Sequence, residues 1–391
     1  MFLIYELTQS GASHAPFTRS FLTMVANAYP GRKMILYAQK SHLDCALNEP
    51  DPIVDACLTT QVFIKNNGNR NEFWKEFMAT LWLLNKTYRL WRRHKPQVIF
   101  LTGHPQHIFA AKLFKYFNPA FRCQLVLHGD VNSVRLPRAR NPFHRATDYF
   151  SSIAHANNTD VRILALETHI RANLAATIPD SGNFIDAIHH PCVPLDIDLN
   201  DFTQPQGVLR FGLLGIAGRS KGLDVFAQLA SQCRTSCGPA ADFRVIGKLQ
   251  RDCLNLDLSG ISGPRPFSQE WLPRQVFETE LKNLHYVVLP YNMNYYGLSA
   301  SGVLLDVLRW RKPIISFETP VIRELIEQFG DIGTICANQN QMFDVINNLC
   351  SSPFDDKRYQ AQRRNLDAAY RSRLPESVAI EYTQIQSKFK N

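Results

Sequence analysis

Short apolar runs closed by turn residues alternate with longer stretches in which apolar positions recur every three or four residues. Phe2-Leu3-Ile4-Tyr5, Met34-Ile35-Leu36-Tyr37, Val98-Ile99-Phe100-Leu101, Gln124-Leu125-Val126-Leu127 and Ile163-Leu164-Ala165-Leu166 read as buried strands. Helices are predicted from about Pro16 to Ala28, Glu72 to His94, His104 to Phe117 and His169 to Ala176. Pro16 suits a first helical turn, where its missing N–H costs nothing. Residues 40–72 are polar and irregular, with Val62-Phe63-Ile64 the one strand-like run. Ile185-Asp186-Ala187-Ile188 leads into His189-His190-Pro191, which reads as a structural turn and not as a metal site. Strands alternating with helices imply an α/β fold with a doubly wound parallel sheet and ligands at the carboxyl ends of its strands.

The polar stretch Pro194 to Gln206 reads as a linker, after which the alternation restarts. Leu209 to Leu214 is a strand, Gly215 to Gly222 a glycine-rich loop, and Leu223 to Ser231 a helix. Phe243-Arg244-Val245-Ile246 with Gly247 is the next strand and turn, and Ser268 to Leu284 reads as largely helical. Tyr286-Val287-Val288-Leu289 is a strand closed by Pro290, followed by a loop of small residues that includes Gly297, Ser299, Ser301 and Gly302. A helix begins at about Gly302, Lys312-Pro313 stops it, and Ile314 to Phe317 is the next strand. Ser377 to Lys388 reads as a final helix.

A chain of 391 residues is long enough for two domains, each with its own core. Its net charge of +9 points to an anionic partner: nucleotide, anionic lipid or nucleic acid. Nucleic acid is set aside because no recognisable reading motif accompanies the charge. The nine cysteines show no pairing pattern, which suggests reduced thiols and a cytoplasmic protein. Glu6 follows the first apolar run, so the start reads as a strand and not a signal peptide. No apolar stretch approaches the ~20 residues needed to span a bilayer, leaving a soluble or peripheral protein.

Two loops in the second half carry the clearest chemistry. In Gly215-Ile216-Ala217-Gly218-Arg219-Ser220-Lys221-Gly222, glycines let the backbone approach a ligand while Arg219 and Lys221 place cations beside it. Arg offers a bidentate fork and Lys a point charge, a pairing suited to a diphosphate. No GK[ST] occurs, so this is not a Walker loop, and no acidic residue ends the following strand as a dinucleotide site would want. The turn at Ser301 and Gly302 offers free backbone N–H groups and the positive end of a helix dipole. Asp306, about a turn further on, is placed to meet a ribose hydroxyl.

The succession GRSKGLDVF, VIGK, VVLPY and SASGVLLDVLRWRKPII resembles the carboxyl-terminal domain of GT-B glycosyltransferases. It is most similar to the large retaining group, family 4-like, that contains sucrose synthases and bacterial mannosyltransferases. The resemblance is strong over 208–318 and weaker before that. It implies two Rossmann-like domains facing each other across a cleft: an acceptor domain at 1–200 and a nucleotide-sugar domain at 207–376. The final segment, about 377–391, is expected to return to the first domain. It further implies transfer from a nucleotide diphosphate sugar to a glycan or lipid-linked acceptor in polysaccharide synthesis, with retention and without a metal or other cofactor. Gly218, Arg219, Lys221, Gly247, Ser299, Ser301, Gly302 and Asp306 are then the donor-binding set. Two positions depart from the pattern. Leu298 stands where the first of an acidic pair is expected, and Ile216 stands where the loop arginine is expected.

In the first half, Leu125-Val126-Leu127-His128-Gly129-Asp130 resembles the strand whose terminal histidine faces the donor sugar. His128 either contacts that sugar or caps its loop. Asp130 either caps the next segment or acts as the general base of an inverting enzyme. Gly11 and Ser13 match the glycine-rich turn near the donor phosphate. Within 73–95, Phe73, Phe77, Leu81, Leu84, Tyr88 and Trp91 form one stripe, and Lys86, Arg89 and Arg93 another. This is either a core helix with a solvated basic end or an interfacial helix on anionic lipid at the inner membrane face. Residues 135–145, with Arg135, Arg138, Arg140 and Arg145, form a second basic patch suited to lipid headgroups or an anionic acceptor. A non-catalytic nucleotide-sugar or anionic-glycan binding protein is the alternative from another class.

Overall fold

The structure is a computed structural model that describes residues 1–63, 72–128, 131–135, 147–154, 160–199, 205, 207–264, 268–291 and 296–387. The chain divides into two compact units. The first comprises Met1–Val193, Leu298–Ala300 and Arg373–Asn391; the second comprises Pro194–Gly297 and Ser301–Ser372.

The first unit is built on seven strands: β1 (Phe2–Glu6), β2 (Met34–Ala38), β3 (Leu58–Val62), β4 (Gln97–Phe100), β5 (Arg122–Leu127), β6 (Val161–Leu166) and β7 (Ile185–Ile188). All pair in parallel, in the order β3-β2-β1-β4-β5-β6-β7. Alternate side chains of β1 enter different cores, Leu3 and Tyr5 on one face and Phe2 and Ile4 on the other, so the sheet is covered on both faces. The edge strand β3 holds the exposed Thr59, Thr60, Gln61 and Val62, which is why no apolar run marks it. The strand predicted at Val62–Ile64 therefore lies earlier, and Ile64 is outside the described residues. The terminal helix Pro375–Ser387 packs against the helix Ala15–Ala28, burying Val378, Ala379 and Tyr382 in the second of these cores. Its approach is held by buried Arg373, whose guanidinium donates to both oxygens of Glu167 at 2.9 and 3.1 Å. His189 is tied to the same helix through Glu381, 2.7 Å away, consistent with the structural reading of that turn.

The second unit holds β8 (Leu209–Ala217), β9 (Ala241–Leu249), β10 (Ile261–Ser262), β11 (Tyr286–Leu289), β12 (Ile314–Phe317) and β13 (Gly333–Cys336). These are also parallel, in the order β10-β9-β8-β11-β12-β13. From β8 the chain first winds outward through β9 and β10, then returns to β11 on the other side. The crevice at the carboxyl ends of β8 and β11 is thus the topological switch point, where open parallel sheets bind ligands. The helix predicted over Ser268–Leu284 is confined to Arg274–Lys282: Pro273 disfavours the helical region for Leu272 before it and is itself the extended N-cap (φ −55°, ψ 140°).

Candidate functional site

The loop that leaves β8 is one turn, Arg219–Lys221, between Gly218 and Gly222. Gly222 opens the helix Leu223–Ser236 in the left-handed region (φ 75°), and a Cβ there would lie 2.2 Å from the carbonyl oxygen of Pro290. Only glycine lets this turn close against the end of β11. Gly247 serves the neighbouring strand: a Cβ on it would come within 1.8 Å of the Gly215 carbonyl oxygen.

The two cations of the loop engage different neighbours. Arg219 is exposed, and its guanidinium donates to the carbonyl oxygen of Asp252 at 3.2 Å and to Asn255 Oδ1 at 3.0 Å. Lys221 turns inward, its Nζ 3.7 Å from where a Gly215 Cβ would sit. Burial pulls its pKa down to about 8, with the charge of Asp306 opposing the shift. This ammonium has lost water without a full counter-charge, so an arriving anion is rewarded more than it would be by a solvated lysine.

Ser301 is the N-cap of the helix Gly302–Arg309, and its Oγ accepts the N–H of Leu304 at 3.2 Å. The first turn of that helix has no acidic residue to satisfy the dipole. A Cβ on Gly302 would have nothing within 4 Å, so there is room above the helix end. Asp306 lies in the second turn and accepts from Arg274 Nη2 at 2.7 Å. Arg274 also donates to Glu278 at 2.7 Å, and Glu278 receives Arg309 at 2.6 Å. Arg274 was not identified from the sequence. Its i,i+4 spacing to Glu278 is visible there, but its partner Asp306 is 32 residues away.

The structure thus brings Gly218, Lys221, Gly247, Ser301, Gly302 and Asp306 to one end of the second sheet. Ser299 is different: it is buried and groups with Leu298 and Ala300 in the first unit. Leu298 is fully buried within a core cluster of that unit. A cleft of about 680 Å³ also opens at the carboxyl ends of β8, β11, β12 and β13, lined by residues that include Arg219, Gly222, Asp224, Tyr291, Glu318 and Asn338. Lys221 and Asp306 are not part of its lining.

In the first unit, the loop after β1 is held by Glu6. Its Oε1 accepts the N–H groups of Thr8 and Gln9 at 3.1 Å each, and its Oε2 accepts the Thr102 hydroxyl at 2.7 Å. Gly11 is fixed from two sides: its N–H donates to Ser41 Oγ at 3.2 Å, and its carbonyl faces His42 Nδ1 at 3.2 Å. A carbonyl only accepts, so Nδ1 of His42 carries the proton and Nε2 accepts from the Thr18 hydroxyl at 2.9 Å. Ser13 donates to Gln9 at 2.7 Å. Gly11 and Ser13 are thereby part of a built loop at the carboxyl end of β1, an inner strand of the sheet.

His128 follows β5 and is packed among rings. His14 and Phe17 lie at 4.0 Å each between centroids, and His190 at 5.4 Å. His14 stands at the start of its helix in the left-handed region (φ 56°), a conformation that turns its ring onto His128. Among the described residues, neither His14 Nδ1 nor His128 Nδ1 has a hydrogen-bond partner although both are buried. Burial, and then the nearby His14 and His190, hold the His128 pKa well below the ordinary histidine value, while burial lowers that of His14. Both imidazoles are neutral near pH 7, with nitrogen atoms able to meet hydroxyl groups. His14 is a second residue that sequence reasoning passed over. Asp130, with Arg138, Arg140 and Arg145, lies outside the described residues. Among the described residues no group of three or more His, Cys, Asp or Glu is placed to hold a metal ion.

No protein-family model matches the chain, and no curated protein matches it. Solved structures do. A glycosyltransferase from Rickettsia africae aligns over 100% of this chain and 99% of its own, with a TM-score of 0.64 at 12% identity. WaaG, a glycosyltransferase involved in lipopolysaccharide biosynthesis, aligns over 98% of this chain and 99% of its own, with a TM-score of 0.62 at 12% identity. The N-terminal domain of Candida albicans trehalose-6-phosphate phosphatase covers 99% and 97%, with a TM-score of 0.60 at 8% identity. At such identities the likeness is one of fold. Two parallel sheets of seven and six strands, matched over the whole length by glycosyltransferase structures, give this chain the GT-B fold.

Proposed function

We propose that the chain is a glycosyltransferase that moves a sugar from a nucleotide diphosphate sugar to a glycan or lipid-linked sugar acceptor. The observation that carries this reading is Lys221, a desolvated ammonium at the switch point of the second sheet, with Asp306 acting on it. Lys221 and the open N-terminal turn at Gly302 take the diphosphate, Arg219 adds a solvated cation, and Asp306, steadied by Arg274, meets the ribose. His128 contacts the donor sugar. In the reaction the bond between sugar C1 and the phosphate oxygen breaks, and a bond from C1 to the acceptor oxygen forms. Negative charge grows on the departing diphosphate, where Lys221 and the helix end stabilise it. The acceptor proton passes to that phosphate in the retaining course, which we favour and which needs no metal. Asp130 receives it in the inverting alternative.

A panel of UDP-, GDP- and ADP-sugars tests the proposal by release of nucleoside diphosphate with and without oligosaccharide acceptors. Chelator should leave the rate unchanged, and the anomeric configuration of the product, read by NMR, separates retention from inversion. A second reading, a non-catalytic nucleotide-sugar binding protein, is favoured by Leu298, a fully buried side chain where the resemblance expects a carboxylate. Tight nucleotide-sugar binding without release for any donor would support it and sink transfer.

A further inference from the structure

The helix Glu72–Trp91 carries two apolar stripes, one buried against the core and one largely exposed. Leu84 and Tyr88 are buried in the core of the first unit, with Leu81 and Trp91 packed against it. Trp74, Met78 and Trp82 recur at every fourth residue on another side and are 46%, 60% and 60% exposed. In the last turn of the same helix, Leu90 is 70% exposed. The helix Pro105–Phe117 packs alongside and ends in Tyr116 and Phe117, 80% and 71% exposed. Each helix leads into the amino end of a strand, β4 or β5, so Leu90, Tyr116 and Phe117 lie toward the edge of the unit opposite the loops of Glu6 and His128.

The charges around these side chains are mostly positive; Glu76, between Trp74 and Met78, is engaged by the Gln106 side chain of the neighbouring helix. Lys86 Nζ sits 4.9 Å from the centre of the Trp82 ring, and Arg89, Arg92, Arg93 and Lys95 follow, all exposed. From Phe77 to Gly129 the sequence contains no Asp or Glu. Tryptophan and methionine alone would fit a protein partner, and arginines alone would fit RNA. Large apolar side chains flanked by long cations in excess, with carboxylates only in the first turns of the helix, match a bilayer interface whose headgroups are anionic.

We propose that this face of the first unit docks on an anionic lipid surface. Trp74, Met78 and Trp82 enter the boundary between headgroups and acyl chains, while Lys86, Arg89 and Arg92 meet headgroup phosphates. Among the described residues no helix is long and apolar enough to cross a membrane, so the contact is peripheral. It uses neither Lys221 nor His128 and stands apart from the proposed reaction.

The test is co-sedimentation of the full chain with phosphatidylcholine vesicles, with and without phosphatidylglycerol. We expect partitioning only onto the anionic vesicles, weakening as salt rises. Met78→Ser with Trp82→Ser should lower it roughly tenfold or more, from the apolar area withdrawn. Arg89→Gln with Arg92→Gln should lower it by roughly fivefold per charge. All four side chains are exposed, and unchanged thermal melting of the two variants keeps a loss of binding from being a loss of fold. Equal binding to neutral vesicles, undiminished binding by either variant, or binding to RNA but not to vesicles would overturn the proposal. So would a dimer in solution that shields Trp82 from quencher and leaves no lipid binding.

Discussion

Lowering the pH from 8 to 5.5 should destabilise the second unit through a single histidine whose hydrogen bond fixes its tautomer. His285 precedes β11, and its Nδ1 accepts the backbone N–H of Arg210 at 2.9 Å. An acceptor nitrogen carries no proton, so protonating this site forfeits the bond. Burial, then the charges of Lys312 and Arg210, lower its pKa from 6.5 to about 4. The folded pKa is depressed, so the contribution is fully present above about 6.5 and is lost as pH falls toward about 4. At pH 5.5 the unfolded chain is about nine-tenths protonated at this site and the folded chain almost not at all, a difference of about 1.4 kcal/mol. His285→Asn retains an acceptor for Arg210 but does not titrate. Urea unfolding followed by circular dichroism at pH 8 and pH 5.5 should show the wild type losing about 1.4 kcal/mol more than the variant. His190, also lowered to about 4 chiefly by burial, contributes the same sense of change in the first unit and is common to both proteins. Identical pH slopes for wild type and variant would refute the reasoning.

Other outcomes follow from the same geometry. Arg373→Met leaves buried Glu167 without its guanidinium and should cost about 3–5 kcal/mol, measured by chemical unfolding; adding Glu167→Gln should restore part of it. Gly222→Ala places a Cβ 2.2 Å from the Pro290 carbonyl at a φ of 75°, so its melting temperature should fall, and the loop should lose whatever ligand it binds.

The two αβ halves were legible because their strands are buried on both faces and read as unbroken apolar runs between helices. The small-residue turns at Gly215–Gly222 and Gly297–Gly302 were legible too, since glycine at such places reports backbone approach and not packing. What the pattern hid has physical causes. The exposed edge strand Leu58–Val62 has no apolar signature. In Glu72–Trp91 the apolar stripe read from the sequence does supply the core contacts, but a second apolar series at four-residue spacing runs beside it and carries no separate signal. Leu81, Leu84, Tyr88 and Trp91 face the core, and Trp74, Met78 and Trp82 remain largely exposed. Arg274 and His14 act through contacts with Asp306 and His128 that lie far along the chain, and no local spacing marks them.

The central claim is that Lys221 forms part of a nucleoside diphosphate site. Its most direct measurement is thermal unfolding of wild type and Lys221→Met with UDP, GDP and ADP. A nucleotide at 100 times its Kd should stabilise the wild type by about 2.7 kcal/mol. The account predicts an upward shift with one of the three, lost or sharply reduced in Lys221→Met, while the variant alone melts close to the wild type. No shift with any nucleotide, or an equal shift in the variant, would contradict it.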